Sequence, residues 1–261
     1  MQEKFDDRPI GVFDSGQGGL TVLSRLVDLM PNEDYVFYGD SAHAPYGVKT
    51  PEEVYQLTKQ VIDELIKKDH VKAVMIACNT ATSVAADRLR REYDLPIIGI
   101  EPAVKPAVQE NAGTVVAMAT PLTLKAPKFN DLAAKYAKKD QVVKVPAPKL
   151  VELVEDGQMD TPAVYDYLHG LLDPYAGQTD GVVLGCTHFP FAKKAIKNIL
   201  GPKTKVYDGA IGAAEEVKRQ LAKRGELTDR TEPGEISFKN SKPGAGKLSQ
   251  KLFQIYRQDC Q

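Results

Sequence analysis

Neither sign of charge is in excess in this 261-residue chain, where 34 Lys+Arg face 35 Asp+Glu for a formal net charge of −1. No broad field therefore exists to hold a nucleic-acid backbone or an anionic membrane. Cysteine is scarce: Cys78, Cys186 and Cys260 are too few and too odd in number for a disulfide scaffold, and no two form a C-x-x-C pair. Free thiols in a reducing compartment are expected. The stretch Met1 to Pro9 is charged where a secretory signal needs an apolar core. The longest apolar runs, Ala73 to Cys78 and Gly181 to Cys186, fall far short of the roughly 20 residues of a membrane helix. These absences predict a soluble cytoplasmic protein with no nucleic-acid and no membrane partner. At about 150 residues per domain the length allows one or two domains, and it is enough to bury a core without staples.

What is present is a regular alternation. Ile10 to Asp14 reads as a strand, Ser15-Gly-Gln-Gly-Gly19 as a turn, and Leu20, Val22, Leu23, Leu26, Val27 and Met30 as one face of a helix. Tyr35–Tyr38, Val71–Ile76, Pro96–Ile100, Thr114–Met118, Val142–Val145, Gly181–Leu184 and Lys205–Tyr207 are further strand candidates, and Pro51 to Lys68 carries a helical stripe. Strands separated by helices imply parallel sheet. Strand ends at Asp14, Asp40, Cys78 and Glu101 are separated by 26, 38 and 23 positions, and those at Thr120, Pro146, Cys186 and Asp208 by 26, 40 and 22. Any regular βα protein gives similar periods, but here a thiol falls on the same point of both series. The pattern predicts a duplicated α/β unit: two pseudo-symmetric lobes, each a mostly parallel sheet flanked by helices, with the active site in the cleft between them. The first lobe is expected over 1–100 and the second over 101–208. The remainder, 209–261, with a helix over Ala213–Lys223, a short strand over Glu235–Lys239 and a helix near Leu248–Tyr256, is expected to pack back on the first.

In open parallel sheets ligands bind beyond the carboxyl ends of the strands, where helix N-termini face anions. Cys78 and Cys186 sit at such ends, each followed by small hydrogen-bonding residues, Asn79-Thr80-Ala-Thr-Ser83 and Thr187-His188. A helix N-terminus there would lower the thiol pKa from about 8.5. One buried cysteine is by default a small hydrophobe; matched polar flanks at matched positions argue for function. Disulfide exchange usually uses the missing C-x-x-C turn. Zinc on Cys78, Cys186 and His188 lacks an evident fourth ligand. A single nucleophilic cysteine with His188 as base leaves the other unexplained. Two thiols facing each other across a cleft suit proton removal from one face of a carbon and delivery to the other, which is racemisation or epimerisation. The glycine turn is not G-x-G-x-x-G, which argues against a dinucleotide site; it is expected to offer backbone N–H groups to a carboxylate, with Asp14 projecting into the cleft. Gly244-Ala-Gly-Lys247 departs from a P-loop and is expected to be a surface loop. No role is assigned to His70 or His169, and Cys260 is expected to be a disordered or exposed thiol.

Four stretches, Val12-Phe-Asp-Ser-Gly-Gln-Gly-Gly-Leu20, Tyr38-Gly-Asp-Ser-Ala-His-Ala-Pro-Tyr-Gly47, Ala77-Cys-Asn-Thr-Ala-Thr82 and Leu184-Gly-Cys-Thr-His-Phe-Pro190, resemble the glutamate racemases of the aspartate/glutamate racemase family. The resemblance runs from about Ile10 to Asp208. It implies a cofactor-independent enzyme that interconverts L- and D-glutamate for peptidoglycan synthesis and forms homodimers. It also implies Cys78 and Cys186 as acid/base thiols, assisted by Asp14 and His188 respectively, with Glu155 or its neighbour Glu152 beside His188. Asp14-Ser15, Tyr46-Gly47, Asn79-Thr80 and Thr187-His188 resemble the substrate-contacting pairs. Two departures are His43, where the family commonly has arginine, and Lys125-Ala-Pro-Lys-Phe129. Rival readings are a racemase for another substrate such as aspartate, a one-cysteine malonate decarboxylase, and a bilobed amino-acid binding protein.

Overall fold

Alternating short apolar runs and amphipathic stretches build two parallel sheets in the computed structural model, which describes residues 5–259; Cys260 lies outside them. Strands β1 (Ile10–Asp14), β2 (Tyr35–Gly39), β3 (Ala73–Ile76) and β4 (Ile97–Gly99) form the first sheet in the order β4-β3-β1-β2. Strands β5 (Val115–Ala119), β6 (Val142–Pro146), β7 (Gly181–Gly185) and β8 (Lys205–Asp208) form the second in the order β8-β7-β5-β6. The two orders are the same permutation, the topological counterpart of the matched spacings. A ninth strand, β9 (Ile236–Asn240), pairs parallel with β2 and extends the first sheet, so the last fifty residues return to the half of the chain that begins it.

Helices cover both faces of each sheet, which is why the central strands β1, β3, β5 and β7 are buried throughout rather than alternating with polar residues. Along β1, Ile10 and Val12 point to one face and Phe13 to the other. On the first face lie α1 (Leu20–Leu29) and two helices from the returning segment, α10 (Ala210–Arg224) and α11 (Ala245–Asp259). On the second lie α2 (Pro51–Asp69) and α3 (Asn79–Glu92). The second sheet is covered on one face by α4 (Val104–Glu110), α5 (Pro121–Lys125) and α6 (Pro127–Tyr136), and on the other by α7 (Pro148–Glu155), α8 (Pro162–Leu172) and α9 (Lys193–Leu200).

Local sequence explains where these helices stop and start. In α2 the Thr50 hydroxyl accepts from the Glu53 N–H while the Glu53 carboxylate accepts from the Thr50 N–H, Pro51 occupies the first turn, and His70 closes the helix in the left-handed conformation at φ 51°. The sequence placed the last helix too late and made Gly244–Lys247 a surface loop. Instead, Gly244 takes a positive φ of 80° and the helix begins at Ala245, whose side chain is buried. Among the described residues no helix is long and apolar enough to cross a membrane.

Candidate active site

The strand order reverses between β1 and β3 in one half and between β5 and β7 in the other, so a crevice opens beyond the carboxyl ends of each pair. The two crevices face one another. Asp14 ends β1, Cys78 follows β3, Thr120 follows β5 and Cys186 follows β7. Together Ser15, Tyr46, Gly47, Asn79, Thr80, Thr187 and His188 line, with Cys78, Cys186, Thr120, Pro45 and Val151, one small cavity. Both polar atoms of the Asn79 side chain are buried there without a protein partner, a site for a polar ligand.

The two thiols have different surroundings. Cys78 caps α3: its Sγ accepts from the Ala81 N–H at 3.4 Å and lies 3.3 Å from the Ser15 hydroxyl. These bonds favour a thiolate, but burial and the neighbouring Asp14 carboxyl outweigh them and push the Cys78 thiol up to about 12. The expected lowering by a helix N-terminus is thus overturned at this residue. Burial also raises Asp14, against the pull of His188 and of a Thr187 hydroxyl that donates to Asp14 Oδ1 at 3.0 Å. Asp14 is fully buried between the halves and does not line the cavity itself, as the sequence had suggested it would.

Cys186 is followed by a single 3-10 turn, Phe189–Ala192, and the α-helix expected directly after it starts only at Lys193. The Cys186 sulfur lies 3.8 Å from His188 Nδ1, and His188 Nε2 lies 2.6 Å from Glu155 Oε1 at the end of α7. Burial opposes a charge on His188, but the hydrogen bonds to Cys186 and Glu155 prevail and hold its pKa well above the ordinary imidazole value. Burial likewise opposes the Glu155 carboxylate, which His188, the Gln17 N–H and Ser41 nevertheless keep below its usual range. The Gly18 N–H also points at Nε2 from 3.3 Å. A proton shared with Glu155 leaves Nε2 no lone pair for it, so the shorter carboxylate contact is the bond that counts. Glu152, the alternative, is exposed on the outer face of α7.

The glycine turn offers its N–H groups to carboxylates, as its sequence suggested, and the carboxylates are the protein's own. Its N–H groups serve the protein: Gly16 donates to Asp14 Oδ2 at 3.0 Å and Gln17 to Glu155 Oε1 at 2.5 Å. The second of these bonds joins the two halves. Glycine is required because a Cβ on Gly16 would lie 2.0 Å from Glu155 Oε1, and one on Gly18 2.5 Å from His188 Nδ1. A further tie, a triangle of hydroxyls from Thr80, Thr120 and Thr123 with edges of 3.0 to 3.2 Å, spans the opposite side of the cavity. Sequence reasoning missed Thr120 as a lining residue, although it marked the same strand end. The two departures lie outside the lining: His43 Nδ1 is 2.8 Å from Asp40 Oδ1, whose other oxygen accepts from the Tyr46 hydroxyl at 2.6 Å, and Lys128 pairs with Glu101. Among the described residues no group of three or more His, Cys, Asp and Glu side chains could hold a metal ion.

Comparisons with known proteins agree with this geometry. Residues 10–217 match the family model described as Asp/Glu/Hydantoin racemase. The chain is 45% identical over 260 residues to a glutamate racemase of Clostridium perfringens, covering 98% of this chain and all of that one. Among solved structures it is similar to glutamate racemase from Francisella tularensis in complex with D-glutamate, with a TM-score of 0.80 and 29% identity over 97% of this chain and 94% of that one. It is also similar to Escherichia coli glutamate racemase in complex with L-glutamate and the activator UDP-MurNAc-ala, with a TM-score of 0.82 and 28% identity over 95% of each chain. With more than half its length matched by the family model, and a curated relative similar from end to end, the chain belongs to the Asp/Glu/Hydantoin racemase family.

Proposed function

We propose that this protein interconverts L- and D-glutamate without a cofactor, by proton transfer between Cys78 and Cys186. The observation that carries the proposal is that two thiols at equivalent strand ends line one cavity, each with its own ionisable auxiliary. The relatives' activity, and the glutamate bound in two similar structures, support the substrate.

In the L-to-D direction the Cys186 sulfur removes the α-proton while the Cys78 thiol, kept protonated by its buried setting, delivers a proton to the opposite face. The charged His188 faces the Cys186 sulfur and supplies the counter-charge that a thiolate base needs. In the reverse direction Cys78 is the base, and Asp14 takes part in moving its proton. Hydroxyl and amide groups on Ser15, Asn79, Thr80 and Thr187, donating to the carboxylates and accepting from the ammonium, with the wall formed by Tyr46 and Gly47, hold the substrate in a small site where fixed dipoles stabilise the carbanion. Turnover in deuterium oxide should place deuterium at Cα of both isomers, and Cys78→Ala and Cys186→Ala should each abolish racemisation. Undiminished racemisation in either variant would reject the two-base assignment, and turnover of L-aspartate but not L-glutamate would reject the substrate.

The boundaries 1–100 with 209–261 and 101–208, a cytoplasmic location, a homodimer and supply of D-glutamate for peptidoglycan belong to the same reading. The return of β9 to the first sheet supports the division. Sedimentation at micromolar concentration should give twice the 28.6 kDa chain mass.

A further inference from the structure

Outside the cavity, a line of hydrogen bonds leads from the C-terminal strand to the Cys186 side of the site. The Asn240 Nδ2 group, at the end of β9, donates to the Ser41 hydroxyl at 3.1 Å, and that hydroxyl donates to Glu155 Oε2 at 3.0 Å. Glu155 then meets His188 through its other oxygen, and His188 meets Cys186. The donors all run one way, ending on the carboxylate. The orientation of the Asn240 amide is fixed independently, because its Oδ1 accepts from the Lys242 N–H at 2.9 Å. Room for the amide is made by Gly39, where a Cβ would lie 2.8 Å from Asn240 Nδ2. The Ser41 turn is further held by an Ala42 N–H that donates to the Ser241 hydroxyl at 3.0 Å and by a Ser241 N–H that donates to Gly39 O.

We propose that Ser41 and Asn240 are positioning residues for the reaction: together they fix the rotamer and charge of Glu155, and through it the His188 imidazole that serves Cys186. The assignment gives the C-terminal strand a part in the chemistry of the opposite half. It rests on the two-thiol reading and deepens it. Neither residue touches the cavity, so neither binds substrate directly. Among the described residues no such line of hydrogen bonds runs from the returning segment to the Cys78 side, and the two acid/base sets are therefore unequal. The charged and titratable groups facing His188 are Glu155 from α7, Cys186 from β7 and Asp14 from β1. Of these, only Glu155 is reached by the line from β9.

The test is a double-mutant cycle with Glu155→Gln, together with the imidazole titration of His188 read by NMR, a tractable signal among four histidines. Ser41→Ala is expected to lower kcat about three- to tenfold with KM changed less than about twofold, to cause no further loss in the Glu155→Gln background, and to be rescued by Ser41→Thr. The His188 midpoint should fall by about 0.5 to 1 pH unit, the shift that loss of one hydrogen bond to its carboxylate partner carries. Asn240→Ala should lower it by less, in the same direction, and takes over the test if Ser41→Ala does not fold. Additive losses in the Glu155→Gln background, or an unmoved His188 midpoint, would overturn the proposal. Because the titration needs no turnover, a wild-type protein that racemises neither glutamate nor aspartate would sink the two-thiol reading while leaving this outcome distinguishable.

Discussion

Removing Asp14 and Cys78 from water raises the cost of ionising both, and the Asp14 carboxyl adds to that cost at Cys78, so the Cys78 thiol holds its proton. A thiol whose folded pKa lies above its unfolded value of about 8.5 contributes stability that is fully present below that value and lost as pH rises toward 12. His188, also raised, acts in the same sense. Glu155, lowered, contributes stability that is present above about pH 4.3 and lost as pH falls below it. Urea midpoints measured across pH should accordingly begin to fall above about pH 6.5, where the unfolded imidazole loses its proton, and fall further above about pH 8.5, with a shallower fall in that upper range in Cys78→Ala; an identical limb above about pH 8.5 in that variant would show that Cys78 is not its source. Asp14→Asn keeps the shape and the acceptor for Thr187 but removes the titrating group. It is expected to lower kcat by about 10² to 10⁴ in steady-state assays, the range of a lost general acid/base partner.

At the scale of elements, the glycine turn between β1 and α1 decides how closely α7 can bring Glu155 to the site. With a Cβ at position 16 falling 2.0 Å from Glu155 Oε1, Gly16→Ala must push the carboxylate off His188 or part the two halves. A displacement of about 1 Å at such a point costs on the order of 100-fold in rate, so Gly16→Ala should lose kcat to that extent in racemisation assays. Its thermal midpoint should move far less. The N-terminus of α2 offers a contrasting case: Thr50→Ala removes the hydroxyl that accepts from the Glu53 N–H, leaves the bond from the Thr50 backbone N–H to the Glu53 carboxylate, and should cost about 1 kcal/mol in denaturant unfolding while leaving kcat untouched.

Across the whole molecule, catalysis depends on two sheets that share no strand and are joined where the chain crosses after β4 and returns after β8. The two crossings lie side by side: a Cβ on Gly209 would stand 2.2 Å from the Glu101 carbonyl oxygen. That close approach leaves no room for a side chain at position 209, and a cavity this small admits substrate only if the halves part. Gly209→Ala should wedge the crossings apart, costing about 1 to 3 kcal/mol in unfolding measurements and raising KM for glutamate. A KM equal to that of the wild type would show that the crossings do not control closure.

Much of this was legible in the sequence for a physical reason. Continuous apolar runs such as Gly181–Gly185 mark strands buried on both faces, and the equal spacing of strand ends marks a repeated topology, so the alternation, the paired sheets and the positions of Cys78 and Cys186 were determined by local pattern. The four stretches that carry the family resemblance contain the other lining residues except Thr120 and Val151. What only the tertiary structure decided are quantities that depend on several segments at once. The ionisation of Cys78 follows from burial beside Asp14, sixty-four positions away in sequence. The choice of Glu155 over Glu152 is a matter of which face α7 turns inward. The Gln17 N–H of the glycine turn, free in any local reading, is taken by the Glu155 carboxylate from the other half. The role of β9 rests on an edge pairing with β2 some two hundred residues earlier in the chain, which no short-range periodicity encodes.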